Sequence, residues 1–181
     1  MKPIIFIFGP SGVGKSYLFS LIKKQKFMGV HIDTDDIKRA FTSYGYPSEW
    51  DDDFTKVNFN VFMNKLQERL EIKHDGAVVS FPTTYRFTEE KLKFLRQLGV
   101  VPILLWGSEE NCKQSAEKRI NKKGMQFNLS RYDQKNLQTF QLYSRPEYDI
   151  FKLEAFQVDD SRLSDEELKK QIAGFMKKFS N

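Results

Sequence analysis

Ile4-Ile5-Phe6-Ile7-Phe8-Gly9-Pro10-Ser11-Gly12-Val13-Gly14-Lys15-Ser16 decides how the rest of this chain is read. Five apolar residues run straight into a glycine-rich turn, and Tyr17-Leu18-Phe19-Ser20-Leu21-Ile22 carries on at helical spacing after the Lys-Ser pair. Strand, loop and helix in that order are the setting in which Gly-x-x-x-x-Gly-Lys-Ser cradles phosphate. Gly9, Gly12 and Gly14 let the backbone bend so that successive N–H groups point inward, at the positive end of the helix dipole. The nucleotide-binding cradle is therefore assigned to Gly9, Pro10, Ser11, Gly12, Val13, Gly14, Lys15, Ser16 and Tyr17. Lys15 adds a point charge for the β- and γ-phosphates, and the Ser16 hydroxyl can join the coordination shell of a magnesium ion that travels with ATP.

Outward from this motif, apolar runs bounded by turn residues recur at Pro3–Phe8, Gly29–Ile32, Ala77–Phe81, Val100–Trp106 and Phe151–Val158. They are continuous more than alternating, as expected of strands buried on both faces of a parallel sheet. Helix-period segments lie between them at about 15–25, 35–43, 54–73, 88–98, 109–121, 131–144 and 164–179, the last opened by a capping box in Ser164-Asp165-Glu166-Glu167. The alternation predicts an α/β chain of βαβ units. With 181 residues, 40% of them hydrophobic, it suits one domain over 1–181. A single cysteine, Cys112, allows no internal disulfide and favours a reducing compartment, the cytoplasm by default. No apolar stretch approaches the ~18 residues of a membrane span, so no membrane partner is expected. The formal charge of +5 fits anionic ligands, nucleic acid or an ordinary surface and decides nothing alone. The 17 phenylalanines are most simply core packing.

A second constellation follows the second strand. His31-Ile32-Asp33-Thr34-Asp35-Asp36 should bring its carboxylates to the sheet edge that carries the phosphate loop. Phosphoryl transfer to an alcohol needs one carboxylate to orient the hydroxyl and accept its proton, and another to hold magnesium. Asp35 and Asp33 supply that pair; the competing reading is a cap on the next helix. Ser80, or a residue near it, ends the third strand where many phosphate-loop proteins carry a magnesium-associated aspartate. Either Asp33 does the metal work from the neighbouring strand, or the site binds nucleotide and turns it over poorly. Two aperiodic stretches, 42–53 and 121–131, emerge near this edge and are assigned to acceptor binding (about 42–60) and a lid (about 119–131). Arg119 and Lys122, three residues apart, share a helix face and could converge on the triphosphate. Arg131 and Arg145 are weaker candidates for ligand contact.

On these residues the chain resembles the small-molecule kinases of the phosphate-loop group, gluconate kinases in particular and shikimate kinases more loosely. Gly9–Ser16 is similar to their Gly-x-Ser-Gly-x-Gly-Lys-Ser loop, and Asp33-Thr34-Asp35 to the Asp-x-Asp that holds a magnesium water and the acceptor hydroxyl. Ala77–Phe81 through Tyr85-Arg86 resembles a strand that ends in small polar residues before a Tyr-Arg pair. Lys118, Arg119, Lys122, Lys123, Gly124, Met125 and Phe127 resemble the arginine-bearing lid, with lysines where arginines are expected and no histidine in Gly124–Phe127. The resemblance implies a three-layer P-loop NTPase fold with a five-stranded parallel sheet of the nucleoside-monophosphate-kinase type. It also implies Mg-ATP as donor and a small-molecule phosphoryl acceptor, with the chain a monomer or homodimer. A second resemblance competes: Asp35-Asp36-Ile37-Lys38-Arg39 is similar to the Asp-Asp-x-Arg of polynucleotide 5′-hydroxyl kinases. Lys38, Arg39 and Arg86 beside Phe41, Tyr44, Tyr46 and Trp50 could then hold a nucleotide or single strand by charge and stacking. A non-kinase protein switched by ATP occupancy is the third reading.

Overall fold

The computed structural model describes residues 2–32, 56–70 and 72–179. The apolar run that opens the chain forms β1 (Ile4–Phe8), and all five of its residues are buried. A strand with no polar face belongs in the middle of a sheet. It lies between β3 (Gly76–Ser80) and β4 (Val100–Trp106), with β2 (Phe27–His31) and β5 (Lys152–Glu154) at the two edges. The order is β2-β3-β1-β4-β5 and all pairings are parallel, which is the five-stranded sheet that the family resemblance implied. Parallel neighbours require crossovers. Among the described residues these run through α1 (Lys15–Lys23), α2 (Lys56–Arg69), α3 (Glu89–Gln97), α4 (Glu109–Lys122), α5 (Leu129–Tyr143) and a 3-10 turn at Pro146–Phe151; α6 (Asp165–Phe179) follows β5.

Several boundaries differ from expectation for local reasons. β2 begins at Phe27 because Phe27 and Met28 pair with Gly76 and Ala77, once Lys26 has turned the chain through a left-handed conformation. β5 is short because Phe151 is taken by the 3-10 turn that Pro146 starts. Past Ala155 the chain doubles back so that Phe156 bridges Arg162 in antiparallel fashion. α5 starts at Leu129, capped by the Asn128 side chain, and α2 ends at Arg69. The expected capping box is present: the Glu167 N–H donates to Ser164 Oγ, and the Ser164 N–H donates to Glu167 Oε2. The expected 35–43 helix lies outside the described residues, as does most of the acceptor region assigned to 42–60.

Register brings the chemistry to one edge. Ile7 pairs with Ser80 and Ser80 with His31, so β1, β3 and β2 end level. The phosphate loop, the 81–88 segment and the chain leading into Asp33 leave the sheet side by side.

Phenylalanines build the floor under this edge. The Phe87 ring meets those of Phe8 (4.9 Å), Phe81 (5.0 Å) and Tyr85 (4.8 Å), and Phe6 lies 4.9 Å from Phe81. The Phe87 N–H donates to the Tyr143 hydroxyl at 2.8 Å, locking the 81–88 segment onto α5. Phe87 is wholly buried, so Phe87→Ala should lower the unfolding free energy by about 3–5 kcal/mol in a urea titration, and Phe87→Leu by clearly less.

Candidate functional site

An α-helix begins with N–H groups that lack partners inside the helix. The Thr88, Ser108, Asn128 and Ser164 side chains accept such groups at the starts of α3, α4, α5 and α6. α1 is built differently. Its cap position is Gly14, which has no side chain to offer, at a φ of 106° that only glycine adopts without strain. No acidic residue occupies its first turn, which opens instead with Lys15. The helix start thus keeps its positive dipole end without a side-chain cap or an acidic residue of its own first turn. It opens on a cavity of about 360 Å³ lined by the loop, Ser16, Tyr17, Ser115, Arg119 and Arg162.

For N–H groups to face the cavity, the loop's carbonyls must find donors elsewhere. Each carbonyl from Gly9 to Gly14 does so. Lys15 Nζ donates to the Gly9 and Pro10 oxygens, both at 2.8 Å, and the Tyr132 hydroxyl donates to Ser11 O at 3.2 Å. Arg162 donates to Gly12 O at 2.8 Å and to Val13 O at 3.1 Å. The N–H groups of Tyr17 and Leu18 take Gly14 O. The Ser11 N–H is engaged within the protein, donating to Asn136 Oδ1 at 2.7 Å. Gly12 admits no side chain because a Cβ there would run into the Cys112 carbonyl of α4. Burial pushes the Cys112 thiol up to about 12, making it a packing residue and not a nucleophile.

Lys15 Nζ has a third acceptor, Thr83 Oγ1 at 3.0 Å. Thr83 is held in turn by α5, whose Thr139 hydroxyl donates to the Thr83 carbonyl at 3.2 Å. Its ammonium therefore rests on neutral oxygens. Burial, reinforced by the positive charges of Lys135 and Arg119, lowers Lys15 from the ordinary lysine value to about 7. Beside the first cavity, and sharing Ser11 and Arg119 with it, lies a second of about 240 Å³ that presents Arg131, Lys135, Phe127 and Tyr132.

Of the residues expected from the sequence, Ser11, Gly12, Gly14, Lys15 and Ser16 line the first cavity, Gly9 and Pro10 contribute carbonyls to Lys15, and the Val13 side chain is buried in the core. Tyr17 lines the cavity and its hydroxyl donates to Asp165 at the start of α6. Arg119 reaches both cavities from the last turns of α4; Lys122 is exposed and lines neither. Arg131 lines the second cavity, whereas Arg145 is exposed ahead of the 3-10 turn. Arg86 lines neither cavity: it is half-buried near Tyr143, and its Nε has no hydrogen-bond partner among the described residues. Asp33, Asp35, Lys38 and Arg39 lie outside the described residues. Ser80 is buried at the end of β3, and its hydroxyl makes no hydrogen bond to a described residue.

Sequence reasoning missed Thr83, Asn136, Lys135 and Arg162. A signal for the α5 residues was present, because Tyr132, Asn136, Thr139 and Tyr143 recur at spacings of four, three and four and form one buried face of hydrogen-bonding side chains. Arg162 had only the turn residues before it.

No family model matches this chain, and no curated protein sequence does. Solved structures do match. The fold is similar to that of a gluconokinase from Sinorhizobium meliloti 1021, with a TM-score of 0.54 and 17% identity over 99% of this chain and 94% of that one. It is also similar to that of a shikimate kinase from Acinetobacter baumannii in complex with shikimate, with a TM-score of 0.50 and 17% identity over 97% and 93%. The likeness fixes the architecture as a P-loop NTPase fold.

A polyphosphate that reaches Lys15 favours its charged form and raises its pKa from about 7. At about pH 8 the free amine is mostly neutral, so binding should draw up close to one proton; at about pH 6 it is already charged and uptake should vanish. Calorimetry of Mg-ATP binding in buffers of differing ionisation enthalpy, run at both pH values, measures this directly.

Proposed function

We propose that the chain is an ATP- and magnesium-dependent phosphotransferase acting on a hydroxyl of a small molecule. The observation that carries this reading is the uncapped start of α1, where a braced loop and an ammonium that meets only neutral oxygens among the described residues open on one cavity. The fold is that of two solved proteins named as kinases. Loop N–H groups and Lys15 hold the β- and γ-phosphates, and Arg119 approaches from α4 to offset charge on the transferring group. The Ser16 hydroxyl, exposed at the start of α1 and lining the cavity, suits a hard cation, and Asp33 would complete its ligands. Bound there, magnesium supplies charge neutralisation at the phosphate oxygens. Asp35 orients the acceptor and takes its hydroxyl proton as the acceptor oxygen bonds to the γ-phosphorus and the bond to the ADP oxygen breaks. Lys38 and Arg39 are assigned to acceptor contact. Catalysis is then alignment and charge stabilisation, with no covalent enzyme intermediate.

One observation favours a second reading, a nucleotide-occupancy switch. β3 ends in Ser80, and Lys15 meets the Thr83 hydroxyl, so neither position supplies a carboxylate. Transfer of labelled γ-phosphate from Mg-ATP to a panel of sugar acids, polyols, nucleosides and 5′-hydroxyl oligonucleotides separates the two. A labelled acceptor establishes the kinase; intact ATP binding without any acceptor product favours the switch. An oligonucleotide acceptor should show affinity that falls steeply with salt, and a small metabolite a shallow dependence. Lys15→Ala should abolish tight nucleotide binding. Asp35→Asn should leave ATP affinity intact and cut the transfer rate by roughly 10²–10⁴-fold; transfer at the original rate would remove Asp35 from its role.

A further inference from the structure

We propose that Arg162 is a positioning residue that braces the phosphate loop through its carbonyls, setting the direction and donor strength of the N–H groups of Val13 and Gly14. Its two terminal nitrogens divide the work: Nη2 donates to Gly12 O (2.8 Å) and Nη1 to Val13 O (3.1 Å). Those carbonyls belong to the peptide units whose N–H groups are carried by Val13 and Gly14. A guanidinium on the oxygen fixes the plane of each peptide and polarises its N–H, so the charge acts on phosphate through the backbone. Gly14 leaves the room for it, since a Cβ at that position would collide with Nη1.

The arginine is itself held by a built device. Past β5 the chain forms a small hairpin: the Gln157 N–H donates to Ser161 O at 2.7 Å and the Leu163 N–H to Ala155 O at 3.1 Å. Asp160, in a left-handed conformation at the tip, accepts from Asn111 Nδ2 at 2.7 Å, which pins the hairpin to α4. The guanidinium lies 4.9 Å from the centre of the Phe156 ring, and Nη2 also donates to Ser115 Oγ at 2.5 Å. Phe156 occupies space that Gly107 leaves by lacking a Cβ. None of these hydrogen bonds from Arg162 goes to a carboxylate, so its charge is not spent on an ion pair there. The planar fork of arginine spans two successive carbonyls; a lysine ammonium is a point charge on one.

The proposal rests on the reading that the loop binds a nucleotide polyphosphate, and the test separates the two. Binding of Mg-ATP and of magnesium tripolyphosphate, which has no base or ribose, is measured for the wild type, Arg162→Ala and Arg162→Lys, with thermal unfolding of each protein followed alongside. Both probes should weaken by about tenfold or more, and by the same factor, in Arg162→Ala. Arg162→Lys should recover only a small part, and it decides the matter alone if the alanine variant does not fold. Tripolyphosphate affinity unchanged from wild type would overturn the brace: a loss confined to Mg-ATP would make Arg162 a base or ribose contact, and a lowered unfolding midpoint alone would make it structural. Full recovery by lysine would also overturn it, leaving a simple charge. Wild type that binds neither probe would overturn the nucleotide reading itself.

Discussion

A peptide unit cannot turn its N–H toward a ligand without turning its C=O the other way, and everything around this loop answers to that constraint. The carbonyls from Gly9 to Gly14 are met by Lys15, Tyr132, Arg162 and the first turn of α1. The donors come from far along the chain, 121 residues away for Tyr132 and 149 or 150 for Arg162. An open phosphate cradle is therefore a property of the whole fold. A thirteen-residue peptide with the same sequence would have the glycines and the lysine but not the outward partners that hold its carbonyls back.

The sheet supplies the rigid reference. β1 is wholly buried and in register with β3 and β4, so the point where the loop leaves the sheet is fixed by two ladders and by the Phe6–Phe81–Phe87 cluster beneath. α5 carries that rigidity upward. Asn136 fixes the loop at Ser11 and Thr139 fixes the 81–88 segment at Thr83, so one helix sets the separation between the loop and the hydroxyl that Lys15 touches. Polar side chains this deeply buried specify position when each is partnered, and Asn136 is partnered on both ends, donating to Tyr132 O as well.

Legibility in the sequence followed locality. Gly9–Ser16 could be read because the cradle's residues are contiguous and each has a type that the backbone geometry demands. The strand pattern was readable for the same reason: Val100–Trp106 was expected over its full extent, and an unbroken apolar run has little alternative to a buried parallel strand. Asn136 carried the helical spacing of a buried polar face, whereas Thr83 and Arg162 were not readable, since a threonine and an arginine in ordinary surroundings come to the loop only through the topology. The same holds for β5, where the hydrophobic run suggested an eight-residue strand and the chain spends most of it on a 3-10 turn and a hairpin. Arg86, a cation in a suggestive sequence context, lies near Tyr143 and lines neither cavity among the described residues.

The three oxygens around Lys15 Nζ set what an anion can gain from it. An incoming anion gains from the lysine only what it offers beyond the Gly9 and Pro10 carbonyls and the Thr83 hydroxyl already engaged. A small anion touching the ammonium at one oxygen merely exchanges one neutral acceptor for a charged one. A chain of linked phosphates reaches the helix start and the ammonium together, so its gain is the sum of many donors at one entropic cost. A polyphosphate is therefore expected to gain more from this loop than a single phosphate or sulfate, in proportion to the donors it spans.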